Sequence, residues 1–359
     1  MYEGEKKKLK ALVPDDIYEI VQEQKCFIAG GAITSLFTNR DINDIDVYFR
    51  SKEHLKETLR LIFKETRFSL ICTNYTDKSI LFTTPGCPED AVKVQFIHFR
   101  YFNSLEEVFN SFDFTVCMGG FDPVTEEFQF NDDFFKHNSQ RYLKYNPNTD
   151  FPLLSALRVD KYKEKGYDIS KPEFIRVVVN AAKVDIDSWE TAKEHIGGMY
   201  GFDMDNLFDE EKEFSIDELL RQLGNVTTSQ IQTQKPLEGI NYHELMYSVV
   251  GVKPRFYKYV VETEDGLFSR MSMGNNRLKY VVGEVVNGGE NGVYCATPEM
   301  ENHHLCSPKQ DGVLLELEPD GKNWRISAHE AQLFGDVLVK RIADPSELHQ
   351  EAKIEDIPF

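Results

Sequence analysis

The stretch GGAITSLFTNRDINDIDVYF, residues 30–49, decides the fold of the first half of the chain. The run CFIAG (26–30) before it is short and apolar, which predicts a buried strand that ends at the glycine pair. Residues 32–37 predict the start of a helix, and DIDVYF (44–49) alternates as a strand does. The stretch therefore predicts a strand, a glycine turn, a helix and a second strand.

Two carboxylates, Asp44 and Asp46, lie at positions i and i+2 of the second strand. Successive side chains of a strand point to opposite faces, so these two share one face and converge. Two such carboxylates suit a hard divalent cation, because Mg²⁺ accepts one or two protein carboxylates together with phosphate oxygens. The pair predicts a site for Mg²⁺ or Mn²⁺.

The glycine pair, Gly30 and Gly31, predicts a place where the backbone approaches a ligand closely, since glycine has no Cβ. The helix beginning at Ala32 would direct its amide groups and positive dipole end at anionic phosphates. Ser35 lies in its first turn, where a hydroxyl can meet a phosphate oxygen. Together these parts predict a site that holds a nucleoside triphosphate with metal for attack on the α-phosphate.

This segment resembles the DNA polymerase β-like nucleotidyltransferase superfamily, whose signature is a hydrophobic residue with a glycine pair, a short helix and a strand carrying DxD. The matching residues are Phe27 to Gly31, then Ser35, then Asp44 to Val47. Residues 156–169, ALRVDKYKEKGYDI, look like the Arg-rich helix and aromatic turn that follow the head of poly(A) polymerases and CCA-adding enzymes. The resemblance covers roughly residues 15–200.

The resemblance implies that Arg158 and Lys161 face the triphosphate, and Lys165 is a weaker candidate for the same role. These three residues fall at i, i+3 and i+7, which is a helical stripe. The alternative is a solvated face whose bases pair with Asp160 and Glu164, worth only tenths of a kcal/mol per pair. The spacing alone leaves both interpretations open.

The family normally has a third acid on a later strand, where it completes the metal site and accepts the proton of the attacking group. The natural place is KVQFI (93–97), which offers Gln95; glutamine can bind a metal but cannot act as a base near neutral pH. The next candidate is Asp113, at the start of the strand-like run DFTVCMGGF (113–121). A similar VQ…FD arrangement in viral and environmental nucleotidyltransferase-like proteins favours Asp113 as third metal ligand and base.

The fold class predicted is α+β, with a nucleotidyltransferase head that has a mixed sheet, a helical middle region and a β-rich C-terminal domain. The predicted boundaries are 1–150 for the head, 151–223 for the helical domain, 224–245 for a linker and 246–359 for the C-terminal domain. The C-terminal strands loosely resemble ADP-ribosyltransferase-like folds, with acids late in the pattern at Glu316 and Glu318. The alternative is a small sandwich that contacts a protein partner.

The composition bounds the class of protein. The chain has 359 residues and a formal net charge of −19, from 60 acids and 41 bases, which argues against non-specific binding to a phosphate backbone. Neither a signal peptide nor an apolar run of about 18 residues is found, so no membrane association is expected. Its cysteines are scattered without CxxC spacing, which favours a reducing, cytoplasmic setting.

The sequence therefore predicts an enzyme: a Mg²⁺- or Mn²⁺-dependent nucleotidyltransferase that transfers NMP from an NTP with release of pyrophosphate. Its acceptor would be an RNA, a protein or a small molecule, and the net charge lowers the expectation of generic RNA tailing. The alternative is a degenerate nucleotidyltransferase fold that acts as a nucleotide-binding or protein-interaction module, which Gln95 favours.

Overall fold

The computed structural model describes residues 1–64, 70–83, 93–196, 209, 212–223, 240, 242–270, 277–289, 292–298, 312–326 and 330–349. The chain divides into two compact units, Met1–Leu245 and Met246–Phe359.

The first unit combines helices with a mixed sheet, and within residues 27–48 a strand, a helix and a second strand follow one another as the opening stretch predicts. Its helices are α1 Glu3–Leu12, α2 Asp15–Glu23, α3 Gly31–Phe37, α4 Lys52–Lys64, α5 Leu105–Ser111, α6 Phe134–Gln140, α7 Pro152–Glu164, α8 Lys171–Ala181, α9 Trp189–Ile196, α10 Ile216–Leu223 and α11 Tyr242–Leu245. Its strands are β1 Phe27–Ala29, β2 Asp44–Tyr48, β3 Ile71–Tyr75, β4 Ser79–Thr83, β5 Lys93–Ile97, β6 Gly119–Asp122 and β7 Glu127–Phe130.

The described strands of this sheet are ordered β3-β4-β5-β2-β1-β6-β7. β2 runs parallel to β5, whereas the other neighbouring pairs are antiparallel. β2 is thus hydrogen-bonded on both sides, with Asp46 opposite Ala29 of β1 and opposite Gln95 of β5. Because β2 is a central strand, its carboxylates can reach solvent only where the face that carries them is uncovered.

The face of β2 that carries Asp44 and Asp46 also carries Tyr48, and there it meets α5. Tyr48, Phe27 and Ala29 pack with Leu105 and Phe109 in one apolar cluster. Ser104 caps α5, because its hydroxyl accepts from the Glu107 amide at 3.2 Å, as the capping-box pattern predicts. α5 therefore covers the Tyr48 end of the face and leaves the Asp44 end open.

The helical middle of the chain is present. α7 and α8 enclose an apolar cluster with the segment that follows α5, and Tyr162 and Tyr167 pack there against Phe114 and Val177. Farther along, Trp189 of α9 packs against Leu219 of α10.

The second unit is rich in strands. They are β8 Phe256–Thr263, β9 Gly266–Ser269, β10 Lys279–Tyr280, β11 Val285–Asn287, β12 Val293–Cys295, β13 Gly312–Pro319, β14 Trp324–Ile326, β15 Ala331–Leu333 and β16 Asp336–Ile342. One antiparallel sheet has the order β10-β9-β8-β13-β16-β11, and a smaller one has the order β12-β15-β14. Glu316 of β13 is buried and ion-paired with the partly exposed Arg341 at 2.5 Å, so this arginine neutralises the charge of a buried acid.

The α+β class is confirmed, with a mixed sheet, a helical middle and a β-rich C-terminal part. The strand predicted over 113–121 is wrong at its start: Thr115–Cys117 form a 3₁₀ turn, and β6 begins only at Gly119. Buried residues in a row do not separate a strand from a tight turn. Of the linker predicted at 224–245, residues 224–239 and 241 lie outside the described residues, and the division into four domains stays a prediction.

The described helices include none that is both long and apolar enough to cross a membrane.

Gly120 tests how tightly α5 packs on the sheet. A Cβ at Gly120 would overlap Leu105 and lie 3.2 Å from Phe109, both buried on α5. Gly120→Ala should therefore destabilise the protein by about 1–3 kcal/mol, as overpacking does. Urea unfolding measures the change.

Gly4→Ala is the matched control, because Gly4 lies in α1 and a Cβ there meets nothing within 4 Å. It should stabilise the protein by about 0.5–1 kcal/mol. Equal stability of the two variants would contradict the packing described.

Candidate functional site

One cleft in the first unit collects the residues that the sequence singled out. It lies at the open end of the β2 face and is bordered by α3, the segment after α5, and α7. Every predicted site residue lines it: Gly30, Gly31, Ser35, Asp44, Asp46, Asp113, Arg158 and Lys161. Residues from four separate parts of the sequence thus meet in one place, and their roles stay predictions.

The two carboxylates of β2 stand at the centre of this cleft. Asp44 is exposed and Asp46 is partly buried, whereas Ile45 between them is fully buried on the other face. Burial raises the pKa of Asp46 well above its usual range, and the neighbouring Asp44 carboxylate raises it further. Arg158 and Lys161 oppose that shift. Ionising both carboxylates together therefore costs free energy, and a cation in the cleft would lower that cost.

Gly30 lets the backbone pass close to Asp46. Its φ is +90°, which glycine adopts readily, and a Cβ there would lie 3.6 Å from Asp46 Oδ2 and 3.5 Å from Phe112 Cζ. Just after it, the Thr34 hydroxyl donates to the Val116 carbonyl at 2.8 Å and fixes α3 against the 3₁₀ turn. The glycine turn and the carboxylates consequently form one wall of the cleft.

Arg158 reaches the cleft from α7 and is held by Asp113. Its Nη1 donates to Asp113 Oδ1 at 2.7 Å, and its Nη2 donates to the Tyr162 hydroxyl at 3.2 Å. Asp113 is almost fully buried, and burial raises the pKa of its carboxyl group while Arg158 lowers it. The pair therefore fastens α7 to the segment that follows α5.

Three cationic residues of α7 and its end line the cleft: Arg158, Lys161 and Lys165. Partial desolvation lowers the pKa of Lys165, and the nearby charges of Lys161 and Arg158 lower it further, whereas Asp44 opposes them. Of the two interpretations left open by the sequence, the location favours the anion-facing one. Asp160 and Lys163, on the other side of the helix, form the solvated pair at 4.0 Å.

Gln95 stands where the third acid of the resembling family would be. It is paired with Asp46 across the parallel β2–β5 ladder, and it lines the cleft. Its amide Nε2 donates to the Ser79 hydroxyl at 2.8 Å. With its amide group engaged by Ser79, the side chain has a carbonyl oxygen left for a ligand.

The predicted metal set was Asp44, Asp46 and Asp113. Among the residues that the structure describes, no group of three or more His, Cys, Asp or Glu side chains is placed to hold a metal ion. Asp113 gives one oxygen to Arg158, and its role as the third metal ligand stays a prediction. Asp44 and Asp46 by themselves fit a Mg²⁺ ion, which takes its remaining ligands from water and phosphate oxygens.

Aromatic residues that no motif indicated complete the cleft. Phe99 and Phe151 line it as an edge-to-face pair with ring centroids 4.9 Å apart, and Phe112 lies beside Gly30. Tyr162 was also missed as a partner of Arg158, although the i, i+4 spacing of the two on α7 was a usable signal. The aromatic pair had no local signal, since its members are far apart in the sequence.

Comparison with known proteins gives a partial family match. Residues 3–141 match the model of Gad2, the Gabija anti-defense 2 family. A "Gabija anti-defense 2" protein of Bacillus phage SPbetaL7 is 42% identical over 238 residues, which are 66% of this chain and 58% of that protein. The chain thus spans less than two thirds of the length of the curated relative it matches.

Solved structures of tRNA-processing enzymes are similar over about half of their length. One solved with CTP is 15% identical and covers 50% of this chain and 50% of its own, with a TM-score of 0.36. The Thermotoga maritima CCA-adding enzyme complexed with tRNA is 10% identical and covers 54% of this chain and 50% of its own, with a TM-score of 0.37.

The raised pKa of Asp46 gives a pH-dependent stability. In the unfolded chain this aspartate ionises in the ordinary pH range. The contribution of Asp46 to the free energy of unfolding is therefore complete at low pH, and it is lost as the pH rises through the raised pKa of the folded state. Asp46→Asn should therefore raise Tm in a chelator-containing buffer, by about 2–4 °C at pH 8 and by less at pH 5. Differential scanning calorimetry measures both.

Asp160→Asn is the control for this change, because the Asp160 side chain is 85% exposed on α7. A surface change of this kind should alter stability by no more than about 0.5 kcal/mol at either pH. A lower Tm for Asp46→Asn at pH 8 would contradict the assignment of Asp46 as a destabilised carboxylate.

The Asp113–Arg158 pair should be strongly coupled. Asp113→Ala leaves a mostly buried guanidinium without its carboxylate and should cost about 3–5 kcal/mol of unfolding free energy. The double variant Asp113→Ala/Arg158→Ala should cost less than the sum of the two single changes by about 1–3 kcal/mol. Urea unfolding of the four proteins gives the coupling, and additive effects would show that the pair is not formed.

Proposed function

We propose that the first unit is a metal-dependent nucleotidyltransferase that transfers NMP from an NTP to an acceptor and releases pyrophosphate. The observation that carries the proposal is the single cleft in which Gly30–Gly31, Asp44 and Asp46 face the cationic residues of α7. Carboxylates suited to a divalent cation, next to bases suited to phosphates, are what a bound nucleoside triphosphate requires.

Each group has a role that follows from its chemistry. Asp44 and Asp46 would hold Mg²⁺ or Mn²⁺, which when bound supplies positive charge beside the reacting phosphate. Gly30 and Gly31 allow the triphosphate to lie against the backbone, with Ser35 within the same wall. Arg158 and Lys161 balance the negative charge of the triphosphate, and Arg158 is oriented for this by its ion pair with Asp113.

Asp113 is proposed to act mainly through Arg158. The family resemblance makes it a third metal ligand and base, and that role stays a prediction. To fill it, Asp113 would have to exchange its 2.7 Å contact with Arg158 for one with the metal or the acceptor. Its burial and raised pKa suit a carboxyl group that accepts a proton only when Arg158 is drawn away toward the triphosphate.

The biological role proposed is that of the matched relative, whose printed description is Gabija anti-defense 2. The family match covers residues 3–141, which include Asp44, Asp46 and Asp113. We infer that nucleotidyl transfer at this cleft is the activity with which the chain counters a Gabija defence. The β-rich second unit is proposed to contact a protein partner.

A second candidate is a nucleotide-binding module without turnover. Gln95 opposite Asp46 supports it, because an amide neither adds a charge for a second metal nor accepts a proton near neutral pH. The two candidates share nucleotide binding and differ in whether pyrophosphate is released.

Transfer is tested by incubating the protein with each α-³²P-labelled NTP, Mg²⁺ or Mn²⁺, and RNA together with a cell lysate. We expect label on an RNA, a protein band or a small product, and a loss of at least about 1000-fold in Asp44→Asn/Asp46→Asn, since charge stabilisation by the metal is worth several kcal/mol. Denaturing gels and thin-layer chromatography of the products are the readouts.

Asp132→Asn/Asp160→Asn removes the same number of charges from exposed sites outside the cleft and should keep wild-type transfer. The same variants, compared by phage plating on Gabija-carrying bacteria, connect the activity with the anti-defence role. Nucleotide binding without any transfer would favour the second candidate, and transfer that survives in Asp44→Asn/Asp46→Asn would show that the activity resides elsewhere.

A further inference from the structure

A second cleft, of about 320 Å³, lies beside α1 in the first unit; we call it the α1 cleft. This size lies within the range of small-molecule sites. It shares Asp41 and Ile42 with the catalytic cleft, whereas Asp44, Asp46, Arg158 and Lys161 do not line it. The α1 cleft therefore adjoins the proposed triphosphate site and is separate from its charged groups.

The lining of the α1 cleft combines an apolar floor with cations. Ala11, Leu12, Leu36 and Ile42 supply apolar surface, and Lys8 and Arg40 supply positive charge. Asn39 adds an amide group and Asp41 a carboxylate at the boundary with the catalytic cleft. Apolar surface suits a base or sugar, the two cations suit a phosphate, and the carboxylate can accept from a sugar hydroxyl.

Arg40 lines the α1 cleft and interacts with Lys165, which lines the catalytic cleft. Its Nη2 donates to the Lys165 carbonyl at 2.5 Å, and its guanidinium lies 5.8 Å from the centre of the Tyr167 ring. Its charge also contributes to lowering the pKa of Lys165, after desolvation, Lys161 and Arg158. The cations thus repel one another, and a bound polyanion would relieve that repulsion.

The charge of α1 is opposite to that of the whole chain. Its sequence EGEKKKLKAL carries four lysines and two glutamates in a chain of net charge −19. Lys6 pairs with Glu3 and Lys10 pairs with Glu126. Over the described ranges, neither Lys7 nor Lys8 forms an ion pair, and of these two only Lys8 lines the α1 cleft. A basic surface kept within an acidic chain indicates an anionic ligand.

We propose that the α1 cleft binds a nucleotide phosphate of the acceptor, so that the acceptor of the proposed transfer is a nucleotide or nucleic acid rather than a protein. The proposal rests on the nucleotidyl transfer proposed above. The incoming triphosphate occupies the cations next to Asp44 and Asp46, so the phosphate beside Lys8 and Arg40 belongs to the second substrate. The acceptor would enter past α1 and reach the carboxylates across Asp41 and Ile42.

Binding is tested by fluorescence anisotropy of the full chain with a labelled RNA of about 12 nucleotides, without NTP or divalent cation. Lys8→Glu should weaken binding at least about fivefold, and Lys8→Ala should reduce the salt slope by about 0.7 over roughly 50–200 mM salt, since one phosphate contact is lost. Lys7→Glu is the matched control: it changes the charge of α1 equally but lies outside the cleft, and it should bind like the wild type.

Competition separates the two sources of the phosphate. Displacement of the RNA by millimolar nucleoside 5′-monophosphate would identify a mononucleotide acceptor, and displacement by unlabelled RNA alone would identify a polynucleotide. The proposal would be overturned if Lys7→Glu and Lys8→Glu lost RNA affinity equally, or if neither variant changed RNA binding. Transfer of label to protein alone would also overturn it.

The variant Asp44→Asn/Asp46→Asn distinguishes a failure of the proposed transfer from a failure of the proposed phosphate site. It should abolish transfer and leave RNA affinity unchanged, because neither residue lines the α1 cleft. RNA binding that depends on Lys8 in a chain that transfers nothing would retain the α1 cleft as a phosphate site while refuting the proposed function.

Discussion

The structure of the first unit depends on placing two acids on a strand that is hydrogen-bonded on both sides. β2 lies between β1 and β5, and its alternate residue Ile45 is fully buried, so the register cannot shift by one residue without burying a carboxylate. The neighbouring elements accommodate this constraint. β1 is followed by Gly30, whose φ of +90° a glycine adopts readily, and α5 covers only the Tyr48 end of the face.

The cations that line the cleft come from α7 and the residue after it rather than from the sheet. The strands beside β2 contribute Ala29 and Gln95 next to Asp46, neither of which is charged. α7 brings Arg158 across the cleft, and the buried Asp113 determines where its guanidinium lies. A buried ion pair adds little net stability compared with apolar packing. The ion pair here positions the Arg158 guanidinium relative to the carboxylates of β2.

The sequence was informative where chemistry is local and less so where it depends on tertiary contacts. Glycine before a helix and DxD on a strand are short-range patterns, and α3 and β2 appear where those patterns place them. The start of the strand predicted at Asp113 was wrong, because a run of buried residues also describes the 3₁₀ turn found there. The pairing of Asp113 with Arg158 joins residues 45 positions apart, which no single-sequence pattern reveals.

Charge distribution, rather than net charge, decides which ligands this chain can take. A value of −19 predicts repulsion of polyanions on average, yet screening confines electrostatic effects to about 8–10 Å at ordinary salt. Lys165 lines the cleft together with Arg158 and Lys161, and its carbonyl accepts a hydrogen bond from Arg40. Desolvation lowers the pKa of Lys165, and the charges of these three residues lower it further. The acidic surface elsewhere disfavours nonspecific binding of polyanions. A phosphate therefore binds most favourably beside these cationic residues. An acidic chain can therefore select phosphorylated ligands more sharply than a uniformly basic one, because it has fewer competing sites for them.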